Sequence, residues 1–432
     1  MKARQAALNA ITHVLKDGTY LNLELKKALM QNWTIEDKRF ITALASTTIE
    51  NLCRIDYVLE RFIGGKRVHT VIRNILRLGA CQLMFFESVP VSAAVNESVK
   101  LVQDAGKPQL KGFVNAVLRN VSKTLGKIDY PDKKKDPAEF LHVFYSYPKW
   151  LCEQYLKDYG AEQAEQMLAY HGDNALTCVR VCEEDNFILP EGALPGKYLP
   201  DAAYLRHVSA IDKMPGFQDG MFTVQGEASM LCVRTAGIRH GDKVLDACAA
   251  PGGKSAYASQ FAKDGRVVSM ELHPHRATLI ENTFARLHVE NAEIVVADAS
   301  EFQENWENAF DVVLADVPCS ALGLLYRKPD IKVFKEKEDI PSLVKIQRGI
   351  LSTCARYVKK GGTLLYSTCT IDKAENEENV SWFLQNNPDF RGIDLSERLP
   401  EKLRLYAEGE KIQLFPFRDG IDGFFIAGME RV

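Results

Sequence analysis

The sequence predicts a multidomain protein: an all-α N-terminal domain over residues 1–125, a linker over 126–140, a small α+β subdomain over 141–235 and an α/β domain over 236–432. Three observations carry that division. The first 125 residues place apolar side chains at helical spacing and contain no convincing strand. The stretch "GKIDYPDKKKDPAEF" (126–140) bears prolines and is densely charged, as linkers are. Beyond residue 240, short apolar runs ending in polar or small residues alternate with helical segments, which is the signature of a parallel sheet covered on both faces.

Each part is justified in turn by its pattern. In "LKGFVNAVLRNVSKTL" (110–125), Phe113, Val114, Val117, Leu118 and Val121 form an apolar stripe, while Lys111, Asn115, Arg119 and Lys123 fall on another face. "VHTVIRNILRLGACQLMFFE" and "SAAVNESVKLVQ" are helical by the same criterion. In the middle part, "PKWLCEQYLKDYGAEQAEQMLAYHG" reads as a helix pair and "ALTCVRVC" as a strand. The last part supplies five strands: "DKVLDAC", "GRVVSMEL", "AEIVVAD", "FDVVLADVP" and "GGTLLYSTC". In a sheet of this kind, ligands bind beyond the carboxyl ends of the strands. Those ends carry Asp246, Glu271, Asp298, Asp316 and Cys369.

Composition narrows the class. With 46% hydrophobic and 26% charged residues, the chain has the profile of a globular protein. No apolar run reaches membrane-spanning length, and the N-terminus is amphipathic without a signal-peptide core, so a cytoplasmic location is expected. Ten cysteines without a CxxC pair do not make a disulfide framework, and Cys178 and Cys182 lack the second pair that a zinc site needs, so no metal is expected. Residues 1–140 hold 22 Lys and Arg against 14 Asp and Glu, whereas the whole chain carries a net charge of −3; a basic N-terminal part on an acidic body suggests a polyanion-binding module.

The loop "DACAAPGGKS" (246–255) decides what the sheet binds. A phosphate loop of the form G-x-x-x-x-G-K-S needs glycine at 248, which is Cys, and the dinucleotide fingerprint G-x-G-x-x-G is absent. The loop still turns tightly and opens a helix. Acids at successive strand ends suit a ligand with a ribose, an adenine edge and a charged amino-acid tail; S-adenosylmethionine has all three, and its cationic sulfonium suits an acidic rim. Cys319 in "ADVPCSALG" and Cys369 in "LLYSTCTI" lie at the same edge. An isolated cysteine is more often a small core residue. Two thiols beside a methyl donor have a use, however. A thiolate adding to C6 of cytosine makes C5 nucleophilic, a second thiol can assist release, and a carboxylate can manage the proton at N3. Lys254 could keep a thiol ionised or bind a phosphate. The nine histidines are scattered and offer no rival site.

Together, "DACAAPGGK", "DVPCSALG…RKPDI" and "YSTCT" resemble the RNA cytosine-5 methyltransferases of the Sun/Fmu (Nop2/NSUN) superfamily. The basic helical part, especially "GFVNAVLRNV", resembles the NusB-like RNA-binding domain. "FTVQGEASMLC" and "DGFFIA" resemble the superfamily's segment leading into the catalytic core and its closing strand. The resemblance implies a Rossmann-like class I methyltransferase domain using S-adenosylmethionine. It implies methylation of a cytosine at C5 in small-subunit (16S) rRNA, or in an assembly intermediate of that subunit. Cys369 is then the nucleophile on C6, and Cys319 assists release. Cys248, Ala249, Ala250, Pro251, Gly252, Gly253 and Lys254 wrap the cofactor. Glu271 holds its ribose, Asp298 its adenine end, and Asp316 lies between cofactor and base. Arg327 and Lys328, with Lys111 and Arg119 of the helical part, meet RNA.

The departures are Val317 where the superfamily usually has Ala, Ala321 where it has Gly, Glu271 for Asp, and Cys182 where Asn is expected. A tRNA or another rRNA site remains an alternative substrate, and a non-catalytic RNA-binding assembly factor an alternative role. Nothing in the sequence demands more than a monomer.

Overall fold

The computed structural model describes residues 2–172, 176–182, 189–206, 208 and 210–432. The chain divides into two compact units, Met1–Tyr170 with Lys328–Lys337, and His171–Arg327 with Glu338–Val432.

The first unit is helical throughout. Its helices include Ala3–Asp17, Ile35–Glu50, Leu52–Ile63, Thr70–Phe85, Val91–Asp104 and Lys111–Thr124. Burial follows the sequence stripe: Val114, Val117, Leu118 and Val121 are sealed in the core, and Phe113 is half-buried against it. Helices approach closely at Gly79, where a Cβ would lie 2.6 Å from the Leu118 side chain and 2.8 Å from the Ser98 hydroxyl. Residues 126–140, read from sequence as a linker, belong to this unit, as does everything through Tyr170. The physical reason is local. Arg54 Nε donates to the Tyr130 hydroxyl at 2.9 Å and its guanidinium lies over the Phe144 ring. Asp136 caps the helix Pro137–Phe144 by accepting from the Glu139 amide at 2.9 Å. The expected helix pair at 148–172 is Lys149–Ala169, interrupted at Gly160.

A short segment from the C-terminal half completes the helical unit. Asp330 Oδ2 accepts from the Leu21 amide at 3.1 Å. Lys332 is buried, donates to the Glu50 carbonyl at 2.6 Å and lies over the Tyr147 ring. Burial lowers its pKa to about 8. Val333 and Phe334 pack on the helical core.

The second unit contains two sheets. The small antiparallel one comprises β1 (Leu176–Val181), β2 (Leu194–Pro195), β3 (Ala202–Arg206) and β4 (Phe222–Val224), in the order β2-β3-β1-β4. Ala175, with which the predicted strand begins, lies outside the described residues. The large sheet holds β5 (Lys243–Asp246), β6 (Arg266–Glu271), β7 (Ala292–Val296), β8 (Phe310–Asp316) and β9 (Val358–Thr368). It continues with β10 (Phe390–Gly392), β11 (Ala407–Glu408), β12 (Lys411–Leu414) and β13 (Phe424–Arg431). The five strands read from sequence pair in parallel, in the order β7-β6-β5-β8-β9. The sheet as a whole is mixed, because β13 joins β9 antiparallel and carries β12 and β10.

Side chains alternate between two cores. Val244, Val312, Leu314 and Leu365 face one, with the helices Glu227–Thr235 and Gly253–Phe261. Leu245, Val313, Ala315, Leu364 and Tyr366 face the other, with Asp339–Tyr357 and Glu377–Asn386. Glu227, also buried, ties the small sheet to this body. Its Oε1 accepts from the amides of Tyr198 and Leu199, and its Oε2 from the Lys197 amide and the Tyr204 hydroxyl.

Candidate active site

The strand order reverses at β5, whose neighbours are β6 and β8. A crevice opens at such a reversal, beyond the carboxyl ends of the strands. The loop after β5 lies there. Gly252 has φ +98°, which favours glycine, and opens the helix Gly253–Phe261; a Cβ on it would lie 3.1 Å from Ile280, a tight contact. The Ala249 amide donates to the Met270 carbonyl at 2.9 Å, and the Thr283 hydroxyl donates to the Pro251 carbonyl at 2.8 Å. Ser255, whose counterpart in a phosphate loop ligates Mg²⁺, instead donates to Asp246 Oδ2 at 2.6 Å and ties the loop's two ends together.

Asp246 is completely buried, and its Oδ1 is without a hydrogen-bond partner among the described residues. Burial pushes its pKa up to about 6. A carboxyl whose pKa is higher folded than unfolded takes up a proton on folding between the two values. Its ionisation therefore opposes folding above about pH 6 and has no effect below the ordinary value of 3.8. Asp246→Asn is expected to raise stability at pH 8 by on the order of 2 kcal/mol, the gain vanishing near pH 4. Denaturant melts at both pH values check this; an equal effect at both would assign it to packing instead.

At the next strand end, Glu271 is buried, accepts from the His273 amide at 3.1 Å and pairs with Arg276 at 3.3 Å. Asp298 Oδ1 accepts from both the amide and the hydroxyl of Ser300, which holds its carboxyl below the ordinary range. Cys248 is half-buried and packs on the core behind the sheet. Burial pushes its thiol well up.

The two cysteines meet. Cys319 Sγ lies 3.3 Å from Cys369 Sγ, the first on the loop after β8 and the second at the tip of β9. Backbone bonds interlock the loops: the Val317 amide donates to the Ser367 carbonyl at 3.1 Å and the Gly323 amide to the Cys369 carbonyl at 3.0 Å. Asp316 Oδ2 binds Lys254 Nζ at 2.7 Å, and its Oδ1 accepts from the Ser367 hydroxyl at 2.7 Å. Burial opposes the Lys254 charge, but Asp316 outweighs it and the ammonium holds its proton more firmly than in water. Lys254 thus sits on a carboxylate, which was not foreseen. The Cys319 thiol is pushed well up, first by its hydrogen bond with Cys369 and then by burial. Either sulfur can donate the hydrogen bond between them.

Two departures acquire a place. Val317 is buried in the core against the sheet. Ala321 adopts φ 59°, ψ 26°, the left-handed region that favours glycine. Relief of that backbone, offset by glycine's freer unfolded chain, predicts that Ala321→Gly stabilises the protein by up to about 1 kcal/mol. Methyl transfer should be unchanged. Thermal melts test it, and a loss exceeding 1 kcal/mol would contradict the strain.

The basic residues divide between the two units. Arg327 Nε donates to the Tyr326 hydroxyl at 2.7 Å and lies 3.0 Å from Asp422 Oδ1. Lys328 is exposed and belongs to the helical unit. There too, Lys111 Nζ donates to Gln103 at 2.6 Å, and exposed Arg119 donates to Asn115 at 3.0 Å. Cys182, half-buried, directs its thiol to the Arg180 carbonyl at 3.8 Å. Sequence reasoning missed Ser367 and Ser255, because a serine in a small-residue run carries no periodic signal.

A family described as "16S rRNA methyltransferase RsmB/F" matches residues 235–430, and the NusB family matches residues 1–123. A Bacillus subtilis protein named "Probable ribosomal RNA small subunit methyltransferase B" is 36% identical, with 99% of this chain and 98% of that protein covered. A Vibrio cholerae protein named "Ribosomal RNA small subunit methyltransferase B" is 30% identical, with 100% and 98% covered. Among solved structures, PH0851 shares the fold with a TM-score of 0.81 at 22% identity, covering 99% of this chain and 97% of that one. NSun6 from Pyrococcus horikoshii, solved with SFG, gives a TM-score of 0.56 at 19% identity, covering 67% and 99%.

Proposed function

This chain belongs to the ribosomal RNA small subunit methyltransferase B family, and on that premise we propose that it methylates one cytosine of 16S rRNA at C5 through a covalent adduct on Cys369. The observation that carries the reading is the 3.3 Å separation of two sulfurs beside the Lys254–Asp316 pair. A lone buried thiol has no such neighbour, and a non-catalytic factor has no use for one.

S-adenosylmethionine fits the crevice. Asp246 Oδ1 is a buried acceptor with no partner among the described residues, Glu271 offers a carboxylate at the adjoining strand end, and residues 248–254 form a turn tight enough for close backbone approach. When bound there, it supplies an electrophilic methyl group. Asp298 takes the adenine end.

The chain's own residues do the rest. Cys369, as thiolate, adds to C6 and breaks the ring's conjugation, so that C5 becomes enamine-like. Asp316, anchored by Lys254 and Ser367, is held to manage the proton at N3. Cys319, beside the adduct sulfur, accepts the C5 proton as a thiolate and becomes the thiol, while the C6–S bond breaks and Cys369 leaves as thiolate. The base must be unstacked or flipped to reach the thiols. Lys111, Arg119, Arg327 and Lys328 supply phosphate contacts, so affinity falls with added salt. The protein acts as a monomer on 16S rRNA or an assembling small subunit.

Bisulfite sequencing after incubating 16S rRNA with protein and S-adenosylmethionine tests the reading. One cytosine should become bisulfite-resistant. Methyl incorporation with every cytosine still bisulfite-sensitive would overturn the C5 assignment, and transfer to tRNA alone would overturn the substrate.

A further inference from the structure

A carboxylate that no step above uses lies between the two thiol loops. Glu375, six residues beyond Cys369, is completely buried. Its Oε2 accepts from the Ser320 amide at 2.9 Å and from Gln347 Nε2 at 2.8 Å. Its Oε1 accepts from the Ser320 hydroxyl, and that hydroxyl lies 2.7 Å from Thr370 Oγ1. Gln347 Nε2 also donates to the Pro318 carbonyl at 3.0 Å, and its own carbonyl accepts from Asn379 at 2.8 Å. The Tyr366 hydroxyl donates to the Glu375 backbone carbonyl at 2.6 Å.

The bonded residues have an order. Pro318 and Ser320 flank Cys319, and Thr370 follows Cys369. One carboxylate and one glutamine therefore reach both sides of the first cysteine, and the Ser320 hydroxyl carries the connection to the far side of the second. Buried polar groups are costly unless satisfied, so removing the shared acceptor strands several donors at once and frees both loops.

We propose that Glu375 is a positioning residue that sets the Cys319–Cys369 spacing by holding Gln347 and Ser320, whose hydroxyl in turn meets Thr370. Its effect on catalysis rests on the C5 reading, since addition at C6 and release at C5 need two thiols along one edge of the base. Its effect on thiol spacing does not depend on the substrate.

The test uses the full chain with Glu375→Ala, Glu375→Gln and Ser320→Ala. The first readout is the equilibrium for closing a Cys319–Cys369 disulfide in a glutathione buffer, followed by peptide mass mapping. Two thiols and one oxidised glutathione give the disulfide and two reduced glutathiones, so the equilibrium reports how well the sulfurs are held together. In Glu375→Ala it should fall more than about tenfold. Glu375→Gln, which keeps an acceptor, should recover most of the loss. Methyl transfer in Glu375→Ala should drop in kcat by about tenfold to a hundredfold, with KM for S-adenosylmethionine unchanged. An unchanged thiol equilibrium in Glu375→Ala overturns the proposal. If that variant does not fold, Ser320→Ala cuts only the hydroxyl bridge and should show a smaller fall; no fall there overturns it equally. If the equilibrium shifts as expected while the unmodified protein leaves every cytosine unmethylated, the positioning role stands and the C5 reading fails.

Discussion

Replacing Cys369 by alanine should reduce methyl transfer to 16S rRNA by at least about 10⁴-fold while leaving RNA affinity within a few-fold. C5 of cytosine does not attack a methyl group until the ring's conjugation is broken, and only a nucleophile on C6 breaks it. Nothing else at the tip of β9 substitutes: Ser367 is committed to Asp316, and Thr370 faces Ser320. The measurement is incorporation of labelled methyl from S-adenosylmethionine, paired with a filter-binding isotherm for the same RNA. Turnover near that of the unmodified protein would reject the nucleophile assignment. Lost turnover with lost RNA binding would place Cys369 in recognition instead.

The companion experiment, Cys319→Ala, should trap the reaction halfway. With Cys369 intact, addition and methyl transfer proceed. The adduct then lacks the neighbouring sulfur, 3.3 Å from Cys369, that accepts the C5 proton. Turnover should fall by about 10²–10³-fold, and a protein–RNA species should appear as a slow band on a denaturing gel. Adding Cys369→Ala should remove the band. Absence of the band together with full-rate formation of 5-methylcytosine would reject the release role.

How much of this was written legibly in the sequence varies with the range of the interaction. The five parallel strands were readable because each is a short apolar run closed by an acid or a thiol, and both sheet faces are buried. The gathering of Asp246, Asp316, Cys319 and Cys369 followed from topology alone, since parallel strands bring their carboxyl ends to one edge. Strands such as β2 and β11, of two residues each, carry no period to detect. The antiparallel edge around β13 was therefore unread, although its "DGFFIA" core was recognised by resemblance. Side-chain partnerships were hidden for another reason. Arg327 reads as a phosphate contact, yet its partner Asp422 lies far along the chain. Lys254 was assigned to a thiol or a phosphate and sits on Asp316. Lys332, which no sequence pattern marks, is buried with its ammonium over the Tyr147 ring. A charge's partner is a tertiary fact, and single-sequence periodicity does not hold it.

The placement of Asp330 and Lys332 bears on how the protein is born. A ribosome that has delivered Tyr170 has not yet made Lys328–Lys337, the last piece of the helical unit. At roughly 5–20 residues per second, that piece follows on the order of 10–30 s later. Until then the Leu21 amide and the Glu50 carbonyl lack the partners they have in the finished fold. The helices therefore reach their final form only after β5 to β8 have been translated, so maturation of the amino-terminal half is timed by synthesis of the half that carries the chemistry.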